Sequence, residues 1–378
     1  MVRESRHELL SGNRLLAQGA LDAGCRFFSG YPITPSSEIY EVMMKELPAH
    51  NGLALASPDE ITALAQCVGA SMCGYKAMTA TSGPGWCLMI ETVQYAVMTE
   101  TPVVIAQVQR LGPSTGGATQ GAQGDVLLAE FCTSGGYTLP VFAPATAQQC
   151  YGLAQAAFHW SERLRTPVVI LSDKEVGMTL ESVEVSRLPR LPVVERELFT
   201  GPPGRFLPYA CECLDEPPPF APLGSPDRVV ATGSLHDRAG RLRKNVPEAI
   251  ELLKHLQAKI AASAEEMAIV EEETAADAHT LMLSYGISAR AARAACRRLN
   301  CDGRRVSFLQ LLTLFPVPTE AIRRAAQGCS RVVVVEENSP GLYASVLASI
   351  VEKDRLVRVN GVGRMITPAE IVDVAEAA

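Results

Sequence analysis

Short apolar runs recur along the first half of the chain, each followed by a stretch with helical spacing. Residues 26–31 (RFFSGY), 101–108 (TPVVIAQV) and 166–171 (TPVVIL) read as strands. The last two are apolar without alternation, the pattern of strands covered on both faces. Residues 36–47, opened by Pro35, Ser36 and Ser37, and residues 147–164 read as helices. So do residues 59–74, where Ile61, Leu64, Ala65, Val68 and Met72 repeat at helical spacing. The alternation returns late in the chain. Strands are predicted at 281–285, 306–308 and 332–336, with helices at 288–299, 319–326 and 342–353. Residues 246–267 carry Ile250, Leu253, Leu256 and Ile260 on one face and read as a packing helix.

Residues 186–228 break the rhythm with ten prolines, a density that prevents regular ladders. This stretch reads as an extended connector, with Phe199, Phe206, Tyr209 and Phe220 available to pack it against a surface. The pattern therefore predicts an α/β chain of two doubly wound, mainly parallel-sheet domains. The expected division is 1–185, the connector 186–228, a linking helical segment 229–267, and 268–378.

Composition narrows the function. The chain has 378 residues, 47% of them hydrophobic, and a net charge of −7. That is enough apolar material for buried cores, and the acidic balance argues against a nucleic-acid binder. No apolar run is long enough for a membrane helix, and the first ten residues lack the apolar stretch of a signal peptide. The eleven cysteines are scattered, odd in number, and contain no CxxC. A disulfide scaffold and iron–sulfur ligation by this chain are not expected, and a soluble cytoplasmic protein is.

Ligands in doubly wound folds bind beyond the carboxyl ends of strands, and four such segments are chemically unusual. In 30–37 (GYPITPSS) two prolines hold Thr34 rigidly between them, and the helix start that follows attracts anions. The other reading is a Pro-rich turn with Ser36 as helix cap. In 57–60 (SPDE), Asp59 or Ser57 caps a helix and Glu60 is either a first-turn acid or a buried carboxylate facing a ligand nitrogen. In 79–86 (TATSGPGW) small residues allow close approach, and the segment matches neither a P-loop nor GxGxxG. In 109–117 (QRLGPSTGG), running to Gln123, Gly124 and Asp125, Arg110 offers a fork for a carboxylate or a structural salt bridge.

In this order, YPITPSS, DEITALAQCVGAS, TSGPG and QRLGPSTGG with QGD resemble the alpha subunit of the 2-oxoacid:ferredoxin oxidoreductases, nearest the 2-oxoglutarate branch. The resemblance continues through TPVVILSD at 166–173, Tyr285 and Gly286, LFPVP at 314–318, and Val335, Glu336, Glu337 and Asn338. It implies a pyrimidine-binding-like domain of thiamine diphosphate enzymes followed by a transketolase C-terminal-like domain. Glu60 matches the glutamate on the aminopyrimidine ring, which favours the tautomer that activates the thiazolium carbon. Thr34 and Arg110 match positions that hold the substrate carboxylate. Thr81, Ser82, Gly83 and Pro84 belong to a loop that lines the cofactor. Ser114 and Thr115 are assigned to the distal carboxylate of a dicarboxylic substrate.

The implied reaction is oxidative decarboxylation of 2-oxoglutarate with CoA to succinyl-CoA and CO2, reducing ferredoxin, and its reverse. Leu111 and Gly117–Ala118 depart from the commonest spelling of the branch. The alternatives are pyruvate or a branched 2-oxoacid, a non-catalytic assembly subunit, and a non-redox thiamine enzyme. The GDG motif that holds Mg²⁺-diphosphate is missing: Gly124-Asp125-Val126 and Cys301-Asp302-Gly303 are incomplete. The resemblance therefore implies a beta subunit with Mg²⁺ and a [4Fe–4S] cluster, and no metal on this chain. A separate gamma subunit is the other expected partner, with a small ferredoxin-like subunit as an option that the resemblance does not require. Glu336, Glu337 and Asn338 are expected at a solvated strand end, and His236 and Asp237 carry no assigned chemistry.

Overall fold

The computed structural model describes residues 6–377. Residues 1–5 and 378, which belong to the expected terminal domains, lie outside the described residues. The chain opens with β1 (His7–Ser11), α1 (Gly12–Asp22), β2 (Phe27–Gly30), α2 (Ser37–Glu46), β3 (Leu53–Ala56), α3 (Glu60–Met72), β4 (Ala77–Thr81) and α4 (Gly83–Met98). It continues through β5 (Val103–Gln109), α5 (Val126–Glu130), β6 (Val141–Phe142), α6 (Ala147–Leu164), β7 (Pro167–Asp173), α7 (Lys174–Met178) and β8 (Leu180–Glu184). After the connector come α8 (Pro247–Ala262), α9 (Ala264–Met267), β9 (Val270–Glu273), β10 (Thr280–Tyr285), α10 (Ser288–Cys301) and β11 (Val306–Leu311). The last elements are β12 (Thr313–Phe315), α11 (Thr319–Ala325), β13 (Arg331–Glu336), α12 (Leu342–Leu347), β14 (Leu356–Asn360) and α13 (Pro368–Ala377).

Among the described residues the larger sheet runs β12-β6-β7-β5-β4-β2-β3 and is parallel except where β12 pairs antiparallel with β6. Its central strands β5 and β7 are buried at every position. Their unbroken apolar runs are what a sheet covered on both faces requires. Leu16, Ala154 and Phe158 of α1 and α6 pack one face; Leu64, Met89 and Val93 of α3 and α4 pack the other. The smaller sheet runs β14-β13-β10-β11-β9, with only β9 antiparallel. The chain is thus α/β with two doubly wound, mainly parallel sheets.

The core on the α3–α4 face continues through Leu281, Leu283 and Val334 of the second sheet and Tyr343 of α12. The LFPVP stretch makes the physical join. Its first residues form β12, which crosses to close the edge of the first sheet, and Tyr343 Oη donates to the Leu314 carbonyl at 3.0 Å.

Several local expectations change. Residues 79–86 are not one loop: Thr81 ends β4 and Gly83 opens α4, with Pro84 in the first turn where its missing N–H costs nothing. The helix expected at 342–353 is regular only as far as Leu347. β1, α1, β8, β14 and α13 add elements that sequence pattern alone did not predict. The Pro-rich stretch packs on α3 and α6. Arg196 forks onto Glu162 at 2.7 and 2.9 Å, donates to the Ser71 carbonyl at 2.7 Å, and stacks over Phe220. Phe206, Tyr209 and Phe220 are buried. α8 docks through a buried charge cluster in which Glu100 accepts from His255 Nε2 at 2.9 Å and Lys259 Nζ at 2.8 Å.

Candidate active site

The parallel strands β2, β3, β4, β5 and β7 end at one edge of the sheet, at Gly30, Ala56, Thr81, Gln109 and Asp173. Every segment singled out from the sequence leaves this edge. After β2, Thr34 is half-buried. Its carbonyl accepts from Arg110 Nη1 at 2.6 Å, and the next carbonyl, Pro35, accepts from Asn13 Nδ2 at 2.9 Å. The loop is therefore gripped from two elements. Ser36 does not cap α2 with its side chain; its hydroxyl donates back to Ile33.

After β3, Asp59 is the helix cap, its carboxylate accepting from Thr62 N at 2.7 Å. That backbone hydrogen bond holds the Asp59 carboxyl below its usual range. Capping thus falls to Asp59, and Glu60 is left free for other work. Glu60 is only 5% exposed, and its carboxylate has no hydrogen-bond or ion-pair partner among the described residues. Its oxygens are not fully enclosed, so the carboxylate is open to a donor from outside the chain. Gly85 makes the space. A methyl there would overlap Thr81 Oγ1 and lie 2.5 Å from Glu60 Oε1. Thr81 and Ser82 are buried beside it, Gly83 and Pro84 half-buried, and Ser82 Oγ is buried without a partner.

Arg110 follows β5 and is 7% exposed. It makes no salt bridge among the described residues; its one hydrogen bond goes to Thr34, and Nε is buried without a partner. The guanidinium charge is therefore uncommitted to any carboxylate by direct contact. Ser114 and Thr115 lie apart from this cluster, exposed at the tip of a turn closed by a bridge between Leu111 and Gly117. The structure brings Thr34, Glu60, Arg110 and the Thr81–Pro84 stretch to one edge and leaves Ser114 and Thr115 on a projecting turn.

A second set was not assigned any chemistry from sequence. Asp173, at the end of β7, accepts from Gln109 Nε2 at 3.0 Å, Gln123 Nε2 at 2.9 Å and Ile287 N at 2.5 Å. Burial pushes its carboxyl up to about 8 against those donors. Gln123 Oε1 accepts from Ser288 Oγ and from Glu337 N, at 2.9 and 2.8 Å. Gly286 has a left-handed φ of 53°, and a side chain there would strike the Asp173 carboxyl. The network crosses between the two sheets. Glu336, Glu337 and Asn338 are consequently not a solvated strand end: they are 0, 2 and 5% exposed. Glu336 accepts from Tyr343 N and Ala344 N at 2.9 Å and so caps α12, and burial pushes Glu337 up to about 7. The available signal was polar residues, Gln107 and Gln109, inside an otherwise apolar strand. Among the described residues no group of three or more His, Cys, Asp or Glu side chains is placed to hold a metal ion, and all eleven cysteines are free.

Comparison with known proteins bears on this arrangement. Residues 18–238 match the family described as pyruvate flavodoxin/ferredoxin oxidoreductase, thiamine diphosphate-binding, and residues 278–371 match pyruvate:ferredoxin oxidoreductase core domain II. The chain is 38% identical over 358 residues to 2-oxoglutarate synthase subunit KorA of Methanothermobacter marburgensis, covering 93% of this chain and 94% of that protein. It is 31% identical over 338 residues to ketoisovalerate oxidoreductase subunit VorB of Methanothermobacter thermautotrophicus, covering 88 and 86%. The solved 2-oxoglutarate:ferredoxin oxidoreductase of Magnetococcus marinus, with 2-oxoglutarate, coenzyme A and succinyl-CoA bound, superposes with a TM-score of 0.92 at 28% identity. That match covers 99% of this chain and 65% of the longer one.

Proposed function

The chain belongs to the 2-oxoacid:ferredoxin oxidoreductase family, and from that premise we propose that it is the alpha subunit of a complex acting on 2-oxoglutarate. The complex oxidatively decarboxylates 2-oxoglutarate with CoA, gives succinyl-CoA and CO2, and passes the electrons to ferredoxin; the reaction runs in either direction. The observation that carries this reading is the buried, partnerless carboxylate of Glu60 in the space left by Gly85.

Thiamine diphosphate, when bound, supplies the electron sink for breaking the bond to the 2-oxoacid carboxylate. Glu60 would accept a hydrogen bond from the cofactor's pyrimidine ring and hold a proton there. Thr81, Ser82, Gly83 and Pro84 line the approach of the ring. Thr34 donates to the substrate carboxylate, and Arg110 supplies the positive charge that the carboxylate needs. Ser114 and Thr115, on their projecting turn, are assigned to the distal carboxylate. The 2-oxoglutarate assignment is supported by the nearer identity to the KorA relative than to the VorB relative. A branched 2-oxoacid is the second reading, supported by the 31% identity to the VorB relative; Leu111 and Gly117–Ala118 depart from the commonest spelling of the 2-oxoglutarate branch.

Partner subunits follow from what the sequence lacks. Mg²⁺ and a [4Fe–4S] cluster are assigned to a beta subunit, because this chain has no GDG motif and no cluster-binding cysteine spacing. A separate gamma subunit is part of the proposal, and a small ferredoxin-like subunit an optional addition. The proposed division is a pyrimidine-binding-like domain over 1–185, the connector 186–228, a linking segment 229–267 and a transketolase C-terminal-like domain over 268–378. No described helix is long and apolar enough to cross a membrane, and a cytoplasmic location is proposed. The test is Glu60→Gln in the reconstituted complex. Turnover is expected to vanish while subunit assembly persists; near-normal turnover would instead make the chain an assembly subunit.

A further inference from the structure

Asp125 stands in the site with no role in the reading above. It precedes α5, and its backbone N–H donates to Gln109 Oε1 at 3.0 Å. Its carboxyl lies against the start of α4: a methyl on Gly83 would come within 3.2 Å of Oδ2. Arg110 acts on it electrostatically from the end of β5, the Gln107 amide within that strand is buried without a hydrogen-bond partner, and it acts on the Cys87 thiol of α4. Asp125 Oδ2 is buried without a full hydrogen bond, and so is Arg110 Nε. Half-buried Asp125 and buried Arg110 thus each keep an unsatisfied atom, on segments joined where Asp125 N donates to Gln109, the residue before Arg110.

Gln109 is itself held. Its Nε2 donates to Asp173, and Asp173 is locked by Gln123 and by Ile287 N of the second domain. Gln123 is locked in turn by Ser288 and Glu337. We propose that Asp125 is a positioning residue of this site: fixed by Gln109, it seats the start of α4 and balances the charge of Arg110, and the second domain holds it there through Asp173 and Gln123. The inference rests on Arg110 being the substrate-carboxylate group.

The physical consequence is a competition. An ionised Asp125 occupies the field of Arg110 and opposes the incoming carboxylate, whereas a neutral one leaves that charge to the substrate. Burial pushes the Asp125 carboxyl up to about 6, with Gln107 and Arg110 drawing it down. Substrate affinity should therefore fall as pH rises through this region. One pKa unit of coupling corresponds to about tenfold in affinity.

The experiment measures KM and kcat for the 2-oxoacid in the reconstituted complex at pH values on either side of about 6. Wild type is expected to show KM rising with pH. Asp125→Asn, which cannot ionise, is expected to show a flat KM, while thiamine diphosphate content stays at the wild-type level. Gln109→Leu, which frees Asp125 without altering its charge, is expected to keep a pH-dependent KM with a displaced midpoint. It also serves if Asp125→Asn does not assemble. A KM profile unchanged from wild type in both variants, or flat in the wild type, overturns the proposal. A complex that prefers a different 2-oxoacid would sink the substrate assignment alone, because the same profile is then measured with that acid.

Discussion

Gly85 and Glu60 test the site one residue at a time. Any side chain at Gly85 competes with the Glu60 carboxylate for the same space. Gly85→Ala is therefore expected to displace Glu60 by the order of an ångström and lower kcat by about 10²-fold, with little change in global stability. Steady-state kinetics beside a thermal melt would check both halves of that expectation. That Thr34 and Arg110 lie beyond strands was legible because apolar runs announce β2 and β5, whereas the roles proposed for them and for Glu60 come from the resemblance. Asp59 was legible as a cap from the helical spacing that follows it. The polar set around Asp173 was not: Ile287, its backbone donor, is 114 positions away, and pairing at that separation leaves no local trace. Glu336–Asn338 misled because charges after a strand usually mark solvent, and here they cap a short helix and bind Gln123 instead.

At the scale of elements, α8 depends on a single carboxylate. Burial pushes Glu100 up, but Lys259, His255 and Arg165 outweigh it and hold the carboxyl below its usual range. Its contribution is present above the unfolded carboxyl value of about 4.3 and is lost as pH falls below it. Glu100→Gln leaves Lys259 buried without its counter-charge, and a loss of about 3–5 kcal/mol is expected by denaturant unfolding. The same variant should no longer show the acid-dependent part of that stability. The helix itself was legible from its apolar face; the charge cluster beneath it was not, because Glu100, Arg165 and Lys259 come from three separate stretches of chain. Elements at the sheet margins escaped sequence reading for a related reason. β1 and β8 pair only with each other, and β12 is three residues long. Such strands are set by tertiary position more than by pattern.

For the whole molecule, one continuous core and one hydrogen-bond network join the two sheets, so the site edge is built from both. Yet the proposed chemistry remains half of a centre: a carboxylate for the ring, an arginine and a threonine for the substrate, and no cluster of side chains for a metal among the described residues. On this reading the half-centre serves 2-oxoglutarate within a larger complex. The most direct measurement is kcat/KM of the reconstituted complex across 2-oxoglutarate, pyruvate and branched 2-oxoacids, with CoA and ferredoxin present. The highest value is expected for 2-oxoglutarate, with formation of succinyl-CoA; a preference for pyruvate or a branched acid would contradict the assignment.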